Sequence, residues 1–270
     1  MNESDDPILN KIQFDYYLDF AKGLADISDE ISMSFFDQQQ SMQVSLKSDG
    51  SFVTKADKKI EQRLRYEINQ NFPDHGVLGE EDGEEIKGKS HRWIIDPIDG
   101  THGFMRGLPI WATLIALEYQ GNIIISMISA PAFGARWWAG LGFGAYKSLS
   151  GNVFEIKVSN VDTLKDSQLL YTGVRECREK WIGFEEAISK VWRERGVGDF
   201  WGHCLVAEGA SEIMLDPIVN LWDVAALYLL VTESGGIMSD EKDEDTFRKG
   251  HAISTNKNVH DELMALIRPQ

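Results

Sequence analysis

Residues 78–101, LGEEDGEEIKGKSHRWIIDPIDGT, place two groups of carboxylates on either side of one short apolar run. The run at residues 92–95 is apolar, aromatic and β-branched, which predicts a buried strand. Pro97 cannot continue a ladder and Asp99 is followed by glycine, so we expect the strand to end at Asp96. Asp96 and Asp99 are therefore predicted to project from a tight turn at the end of a strand.

Glu80 and Glu81 precede this strand in an acidic loop that contains glycine. Carboxylates gathered at one strand end repel each other, and a hard divalent cation such as Mg²⁺ relieves that repulsion by binding their oxygens. A solvated acidic loop followed by an ordinary turn is the alternative interpretation. The buried strand before the turn and the Thr-x-Gly-Phe sequence after it favour the metal site.

The overall charge limits the classes of partner. The 270 residues contain 27 Lys and Arg against 43 Asp and Glu, a net charge of −16. Nucleic acids and anionic membranes bind basic surfaces, so neither is expected as a partner. A small phosphorylated metabolite stays possible, because bound metal ions reverse the local sign of the charge.

The cysteine content and the N-terminal sequence bear on the compartment. Two cysteines, Cys177 and Cys204, are too few for a disulfide scaffold. The acidic residues 1–6 do not resemble a signal peptide, and no apolar run approaches the roughly 20 residues of a membrane helix. We therefore expect a cytoplasmic protein with free thiols.

Hydrophobic periodicity predicts a mixture of helices and strands. In the first half we expect helices at residues 8–38 and 56–71, a hairpin at 44–52 with its turn at Asp49-Gly50, strands at 111–117, 123–129 and 136–139, and a strand pair at 151–158. In the second half we expect strands at 168–172, 213–215 and 252–254, and helices at 177–195, 204–210, 222–234 and 256–267. Strands that alternate with helices imply an α/β (α+β) fold. We place the boundary between an N-terminal α+β metal-binding half, residues 1–155, and a C-terminal α/β substrate-binding half, residues 156–270.

Three blocks of sequence, in this order, resemble the inositol monophosphatase family of magnesium-dependent, lithium-sensitive phosphatases. They are GEE at residues 79–81, WIIDPIDGT at 93–101 and WDVAA at 222–226. The similarity runs from about Asp15 to the end of the chain. Further blocks resemble the histidinol-phosphate phosphatase branch: WATLIAL at 111–117, SAP at 129–131, RWWA at 136–139, GDFW at 198–201 and AEG at 207–209. This resemblance implies a layered αβαβα sandwich of the sugar-phosphatase type.

The resemblance also implies a set of metal ligands. They are the carboxylates of Glu80, Asp96, Asp99 and Asp223 and the main-chain carbonyl of Ile98. Two or three Mg²⁺ ions per site, inhibition by Li⁺ and a homodimer are expected with them. From its position alone, Asp223 is explained as an acid at the start of a helix, where the dipole favours it.

Other residues are implied in catalysis. Glu80, with the hydroxyl of Thr101 and with Asp57 behind it, is expected to orient and deprotonate the attacking water. Asp57 also reads as an ordinary helix-start acid. The backbone N–H groups of Gly100 and Thr101 are expected to hold phosphate oxygens. His102 follows them, and we assign it no role.

The resemblance implies that Asp216 contacts the leaving group and that Glu208 is an acid typical of the histidinol-phosphate branch. We predict that Asp199, Glu208 and Asp216 bind the substrate. Histidinol phosphate carries an ammonium and an imidazole, and acids fit such a cationic leaving group better than neutral inositol. An exposed helix acid is the alternative interpretation of Glu208. The implied reaction is hydrolysis of L-histidinol phosphate by a metal-activated water, in histidine biosynthesis.

Two other functions are weighed against it. An inositol or other sugar-phosphate phosphatase shares every metal ligand and differs only at Asp199, at Glu208 and at residues 136–138. A non-catalytic metal-binding module belongs to a different class. The complete set of candidate ligands disfavours it, because an alanine at any ligand position would have been its signature.

Overall fold

Two β-sheets alternate with layers of helix in the computed structural model, which describes residues 9–37, 44–46, 52–88, 90–240, 242 and 250–267. Its α-helices are α1 (Lys11–Phe36), α2 (Lys55–Asn71), α3 (Thr101–Met105), α4 (Val174–Lys180), α5 (Phe184–Lys190), α6 (Asp199–Ala207), α7 (Leu221–Glu233) and α8 (His260–Ile267). Its strands are β1 (Val44–Leu46), β2 (Phe52–Thr54), β3 (Gly76–Gly79), β4 (Gly83–Glu85), β5 (His91–Asp99), β6 (Ala112–Tyr119), β7 (Asn122–Ala130), β8 (Ala135–Gly140), β9 (Gly144–Leu149), β10 (Asn152–Ile156), β11 (Gln168–Tyr171), β12 (Arg193–Gly196), β13 (Ile213–Asp216), β14 (Ile237–Ser239) and β15 (Ala252–Thr255).

The first sheet has eight strands in the order β10-β9-β8-β7-β6-β5-β3-β4, and only its β3–β5 pair is parallel. The second has five strands in the order β12-β11-β13-β15-β14, with β11 parallel to both of its neighbours. Short β1 and β2 pair antiparallel as a separate ribbon. The predicted mixture of sheet and helix is therefore confirmed.

Alternation along the central strands builds the layers, because successive side chains of a strand point to opposite faces. On β6, Ile115 and Leu117 pack with α1 and α2, whereas Leu114 and Ala116 pack with α6 and α7. The second sheet contacts α6 on one face and α4, α5 and α8 on the other. The resulting order of helix, sheet, helix, sheet and helix confirms the expected αβαβα sandwich.

Strand β5 runs further than predicted, because the chain passes through Pro97 without leaving the sheet. Asp96 pairs with Leu114 and Asp99 with Ala112, so three steps on β5 match two steps on β6. This bulge accommodates a residue that has no N–H for the ladder. The buried hydroxyl of Thr113 donates to the Pro97 carbonyl at 2.7 Å, which satisfies a backbone acceptor there.

The predicted helix at residues 177–195 is wrong, since this segment forms α4, α5 and the edge strand β12. Gly183 lies between the two helices against the end of α8. A Cβ at this position would lie 1.9 Å from the carbonyl oxygen of Leu266. That contact with a distant part of the chain interrupts the helix and gives no signal in the local periodicity.

Most other predicted elements are confirmed within a few residues. β1 and β2 form the two arms of the hairpin predicted at residues 44–52, whereas its turn at Asp49-Gly50 lies outside the described residues. The predicted 204–210 helix begins earlier, at Asp199. The predicted strand pair at residues 151–158 is wrong, because only β10 lies there and its partner β9 precedes it. Strands β3, β4 and β14 were not predicted. No helix in the described part of the chain is long and apolar enough to cross a membrane.

Helix α7 connects the two halves of the chain. Its residues from Val224 to Leu227 and from Leu229 to Val231 are all buried between the sheets. At its end, the carboxylate of Glu233 accepts hydrogen bonds from the N–H groups of Gly142 and Gly144, at 2.9 and 2.8 Å. The division at residues 155 and 156 stays a prediction, and a continuous core crosses it.

Candidate active site

Three carboxylates meet where β5 ends and α7 begins. One oxygen from each of Asp96, Asp99 and Asp223 lies within 4.8 Å of the others. They open into a pocket of about 180 Å³. The pocket is lined by Glu80, Asp96, Ile98, Asp99, Gly100, Thr101, His102, Asp199, Asn220 and Asp223. All five predicted metal ligands therefore line one pocket.

Strand register brings Glu80 to this pocket. β3 and β5 are parallel, and Gly79 pairs with Ile95. The next residues, Glu80 and Asp96, therefore leave neighbouring strands at the same edge of the sheet. Glu80 begins the three-residue connection to β4, which starts at Gly83 with a φ of 71°. The left-handed conformation favours glycine at that point.

Backbone N–H groups at the starts of two helices orient the carboxylates of Asp223 and Asp99. Asn220 caps α7, and its N–H donates to Oδ2 of Asp223 at 2.6 Å in a capping box. The N–H of Phe200, in the first turn of α6, donates to Oδ2 of Asp99 at 2.6 Å. Each carboxylate is thus oriented through its Oδ2 atom.

Burial and mutual repulsion raise the pKa values of the acids. Burial raises the pKa of Asp96 well above its ordinary value, and the charges of Glu80, Asp99, Asp223 and Asp57 raise it further. The pKa of Asp99 is raised by burial and then by nearby acids, against the lowering effect of the Phe200 N–H. Such crowded carboxyls hold protons more tightly than ordinary ones unless a cation balances them.

The same effects act on the acids that the second half contributes. Burial raises the pKa of Asp223 to about 7, the Asn220 N–H lowers it, and Glu80 and Asp216 raise it. Burial and then Asp216 raise the pKa of Asp199 to about 6, while the charges of His102 and His203 lower it. The electrostatic potential in the pocket is therefore strongly negative when its acids are ionised.

The residues present fit a hard divalent cation. The Asp96 Oδ1 atom is buried and has no hydrogen-bond partner within the described part of the chain. A buried acceptor of this kind is costly unless something pairs with it. Ile98 also lines the pocket, and its carbonyl accepts a hydrogen bond from the Thr101 hydroxyl at 2.8 Å, which leaves that oxygen a second lone pair. An all-oxygen donor set of carboxylates and a carbonyl suits Mg²⁺.

The other predicted catalytic residues surround this cluster. Gly100 has a φ of 83°, and a Cβ there would lie 2.9 Å from the Ile110 carbonyl oxygen, so the turn requires glycine. Thr101 begins α3 and lines the pocket. Asp57, in the first turn of α2, is buried and close enough for its charge to raise the pKa of Asp96. Its expected role behind Glu80 and Thr101 stays a prediction.

The three predicted substrate-binding acids have different surroundings. Asp199 lines the pocket, with an unusual positive φ of 54° at the start of α6. Asp216 is buried at the end of β13, and its Oδ2 lies 3.7 Å from Nε2 of His203. Glu208 accepts from Lys147 at 2.6 Å and from Trp137 at 3.1 Å, and its side chain is only 15% exposed. The interpretation of Glu208 as an exposed helix acid is therefore wrong.

Asn220 and Glu61 were not among the site residues predicted from the sequence. Asn220 lines the pocket, and its position three residues before Asp223 is a capping-box spacing that was available in the sequence. Glu61 is a buried acid on α2 whose contacts are to a distant loop. Only the folded chain shows those contacts.

Fold and site together define a layered α/β protein with a pocket built for a divalent cation. Comparison with protein-family models matches residues 14–270 to the inositol monophosphatase family. The chain belongs to that family, which confirms the resemblance seen in its motifs. Members of the family depend on metal, and the relatives indicate a phosphoric monoester hydrolase.

Individual relatives agree over nearly the whole chain. A histidinol-phosphatase of Mycobacterium tuberculosis is 39% identical over 90% of this chain and 95% of its own length. A fructose-1,6-bisphosphatase/inositol-1-monophosphatase of Aquifex aeolicus is 30% identical over 93% of this chain and 95% of its own length. The crystal structure of the extragenic suppressor protein SuhB from Bartonella henselae aligns with a TM-score of 0.84 and 27% identity, over 93% and 98% of the two chains.

Proposed function

We propose that this protein is a Mg²⁺-dependent phosphatase that hydrolyses L-histidinol phosphate to L-histidinol and phosphate. The observation that carries the proposal is the convergence of Asp96, Asp99 and Asp223 within 4.8 Å, beside Glu80. The greater identity to the histidinol-phosphatase of Mycobacterium tuberculosis than to the Aquifex aeolicus relative supports the choice of substrate. Activity on inositol 1-phosphate is the alternative, since the same ligand set would serve it.

In this mechanism the chain supplies orientation and proton transfer. Glu80, Asp96, Asp99, Asp223 and the Ile98 carbonyl would hold the cations. Bound Mg²⁺ would supply a water of lowered pKa and offset the charge of the phosphate oxygens.

The remaining groups act on the water and on the phosphate. Glu80 accepts the proton of the attacking water, and Thr101 and Asp57 orient that water. The N–H groups of Gly100 and Thr101 donate to the phosphate. A positioned general base typically contributes about 10²–10⁴-fold to the rate.

Selectivity for the leaving group is assigned to the acids of the second half. Asp199 lines the pocket beside the metal ligands and is placed to meet a cationic group. Asp216 adds negative charge behind it, because it raises the pKa values of Asp99, Asp199 and Asp223. Glu208, which forms an ion pair with Lys147, is proposed to contribute to the same selectivity for a cationic leaving group.

Phosphate release with Mg²⁺ from histidinol phosphate and inositol 1-phosphate, at equal concentration, tests the proposal. We expect a strong preference for histidinol phosphate that falls in the Asp199→Asn variant. Glu194→Gln, an exposed acid on the edge strand β12, is the control and should keep the preference. A preference for inositol 1-phosphate would overturn the choice of substrate, and no release from either would overturn the reaction.

The homodimer, the cytoplasmic location, the number of Mg²⁺ ions and inhibition by Li⁺ belong to the same proposal. Family membership supports each of them. Sedimentation equilibrium of the purified chain measures its assembly state. A titration of the metal-free protein with Mg²⁺, followed by calorimetry, measures the number of ions bound, and a monomer or a single ion would require the corresponding statement to be revised.

A further inference from the structure

Glu61 is a completely buried carboxylate that lies outside the predicted site. It is on α2, and it accepts hydrogen bonds from the backbone N–H groups of Glu81 at 2.7 Å and Asp82 at 3.0 Å. These two residues follow Glu80 in the β3–β4 connection. One helix side chain therefore holds the backbone of the loop that carries a candidate metal ligand.

Arg65 completes this arrangement. Its Nε donates to Oε1 of Glu61 at 2.8 Å, and its terminal nitrogen donates to the carbonyl of Gly83. Glu61 and Arg65 are four residues apart and face the same way on α2. Together they hold the last two residues of the connection by their N–H groups and the first residue of β4 by its carbonyl.

The other side of Glu80 is held by close packing. A Cβ at Gly79 would lie 2.2 Å from Oε1 of Glu61. Gly79 does not have a positive φ, so the glycine serves the close approach of strand to carboxylate and not an unusual backbone conformation. Glu80 is thus flanked on both sides by contacts to the same buried carboxylate.

A contribution to stability does not by itself explain why Glu61 and Arg65 are buried together. Burying two charges costs desolvation energy that often equals or exceeds their attraction, and apolar replacements are frequently as stable. What the pair does provide is a fixed position for the backbone around Glu80. Partners that orient metal ligands typically change metal affinity by about 10–100-fold when they are removed.

We propose that Glu61 and Arg65 are positioning residues that fix Glu80 toward Asp96 for cation binding, an inference that rests on the proposed function. The Glu61→Gln variant keeps the size of the side chain but turns an amide N–H₂ toward backbone N–H donors. We expect its Mg²⁺ affinity, measured by calorimetry on metal-free protein, to fall about 10–100-fold. We expect kcat to fall with it at Mg²⁺ concentrations that saturate the wild type.

Glu67→Gln is the matched control. Glu67 is on the same helix and forms an ion pair of the same spacing with Arg63 at 2.6 Å, but at the surface. We expect this variant to bind Mg²⁺ as the wild type does. Unchanged Mg²⁺ affinity in Glu61→Gln, even with a lowered melting temperature, would assign Glu61 a merely structural role and overturn the proposal.

The Arg65 variants provide a test that tolerates a failure of Glu61→Gln to fold, and Gly79 provides a second test. Arg65→Lys should keep more Mg²⁺ affinity than Arg65→Met, because only lysine retains a charge and donors for Glu61. Gly79→Ala should weaken Mg²⁺ binding in the wild type but add little in a Glu61→Ala background, where the clash is gone. Equal effects of Gly79→Ala in both backgrounds would count against the proposal. A wild type that binds no Mg²⁺ would instead remove the proposed function.

Discussion

At the scale of the residue, Asp96 combines burial with four neighbouring acids. We predict that Asp96→Asn raises the melting temperature of the metal-free protein, because it removes a charge from that cluster. We also predict that phosphate release falls by more than about a hundredfold, since the change removes a ligand and not merely a ligand's partner. Thermal melts in EDTA and a phosphate assay measure the two effects. Release at the wild-type rate would contradict the assigned site.

The pKa of Asp223 predicts how metal removal changes stability with pH. Its carboxyl loses a proton near pH 4 in the unfolded chain, but only at about 7 in the folded chain. Protonation therefore favours the folded state, and this contribution is present below about pH 4 and is lost as the pH rises to about 7.

In thermal melts with EDTA, the stability of the wild type should therefore fall more between about pH 5.5 and about pH 8 than that of Asp223→Asn. Each kcal/mol of difference corresponds to roughly 2–4 °C in melting temperature for a chain of this size. Saturating Mg²⁺ should restore the wild type, because it binds the folded state. Equal losses in wild type and variant would show that Asp223 keeps its ordinary pKa.

The sequence was sufficient to predict the site residues that lie within the motif blocks. Asp96 and Asp99 were predicted from local sequence and Asp223 from the family resemblance, and all three line one pocket. Glu61 was seen only as part of a helix. Its contacts depend on the approach of α2 to the β3–β4 connection, which no local pattern encodes. The same is true of the ion pair between Glu208 and Lys147.

At the scale of the element, the bulge in β5 determines where the acids emerge. Buried Thr113 bridges α1 to this bulge, because it bonds the Ser28 hydroxyl and donates to the Pro97 carbonyl. We predict that Thr113→Val lowers the free energy of unfolding by about 1–3 kcal/mol, since it leaves that carbonyl unsatisfied.

Thr113→Ser is the control for this prediction, because it keeps the hydroxyl and loses only a methyl group. Urea unfolding of both variants measures the difference. If valine costs no more than serine, the hydroxyl does not hold the bulge.

Strand β5 also shows the limit of prediction from local sequence. Its apolar core was recognised, but Pro97 argued for an end at Asp96. The strand continues because Pro97 and Ile98 of β5 lie opposite the single residue Thr113 of β6. This register depends on both strands and cannot be predicted from one. Gly183 is the converse case, in which a close contact with α8 breaks a helical pattern.

At the scale of the whole molecule, α7 makes the two sheets share one core. Leu230 is completely buried in a cluster that includes Ile94 of the first sheet and Ala252 of the second. We predict that Leu230→Ala costs about 2–5 kcal/mol and that amides of both sheets lose protection together in hydrogen exchange.

Leu263→Ala is the control for that experiment. Leu263 is equally buried on α8 but belongs to the outer cluster of the second sheet. Its loss should expose the second sheet first. If Leu230→Ala instead leaves one sheet fully protected, the halves at residues 1–155 and 156–270 unfold independently.

The layered architecture was predictable because it follows from alternation along strands and from the motif resemblance. The placement of α7 between the sheets was not, since the helix was predicted from its own periodicity, which does not show what covers each face. Its nearly continuous apolar composition is what burial on both sides requires.

The crowded pocket also limits how this protein can be engineered. A procedure that ranks substitutions by thermostability of the empty chain would replace Asp96 and Asp223 early, because each pays an electrostatic penalty there. The most heat-resistant variants from such a screen would then be the least active. Screening in the presence of Mg²⁺ would reverse that ranking, so the metal must be part of the selection from the first round.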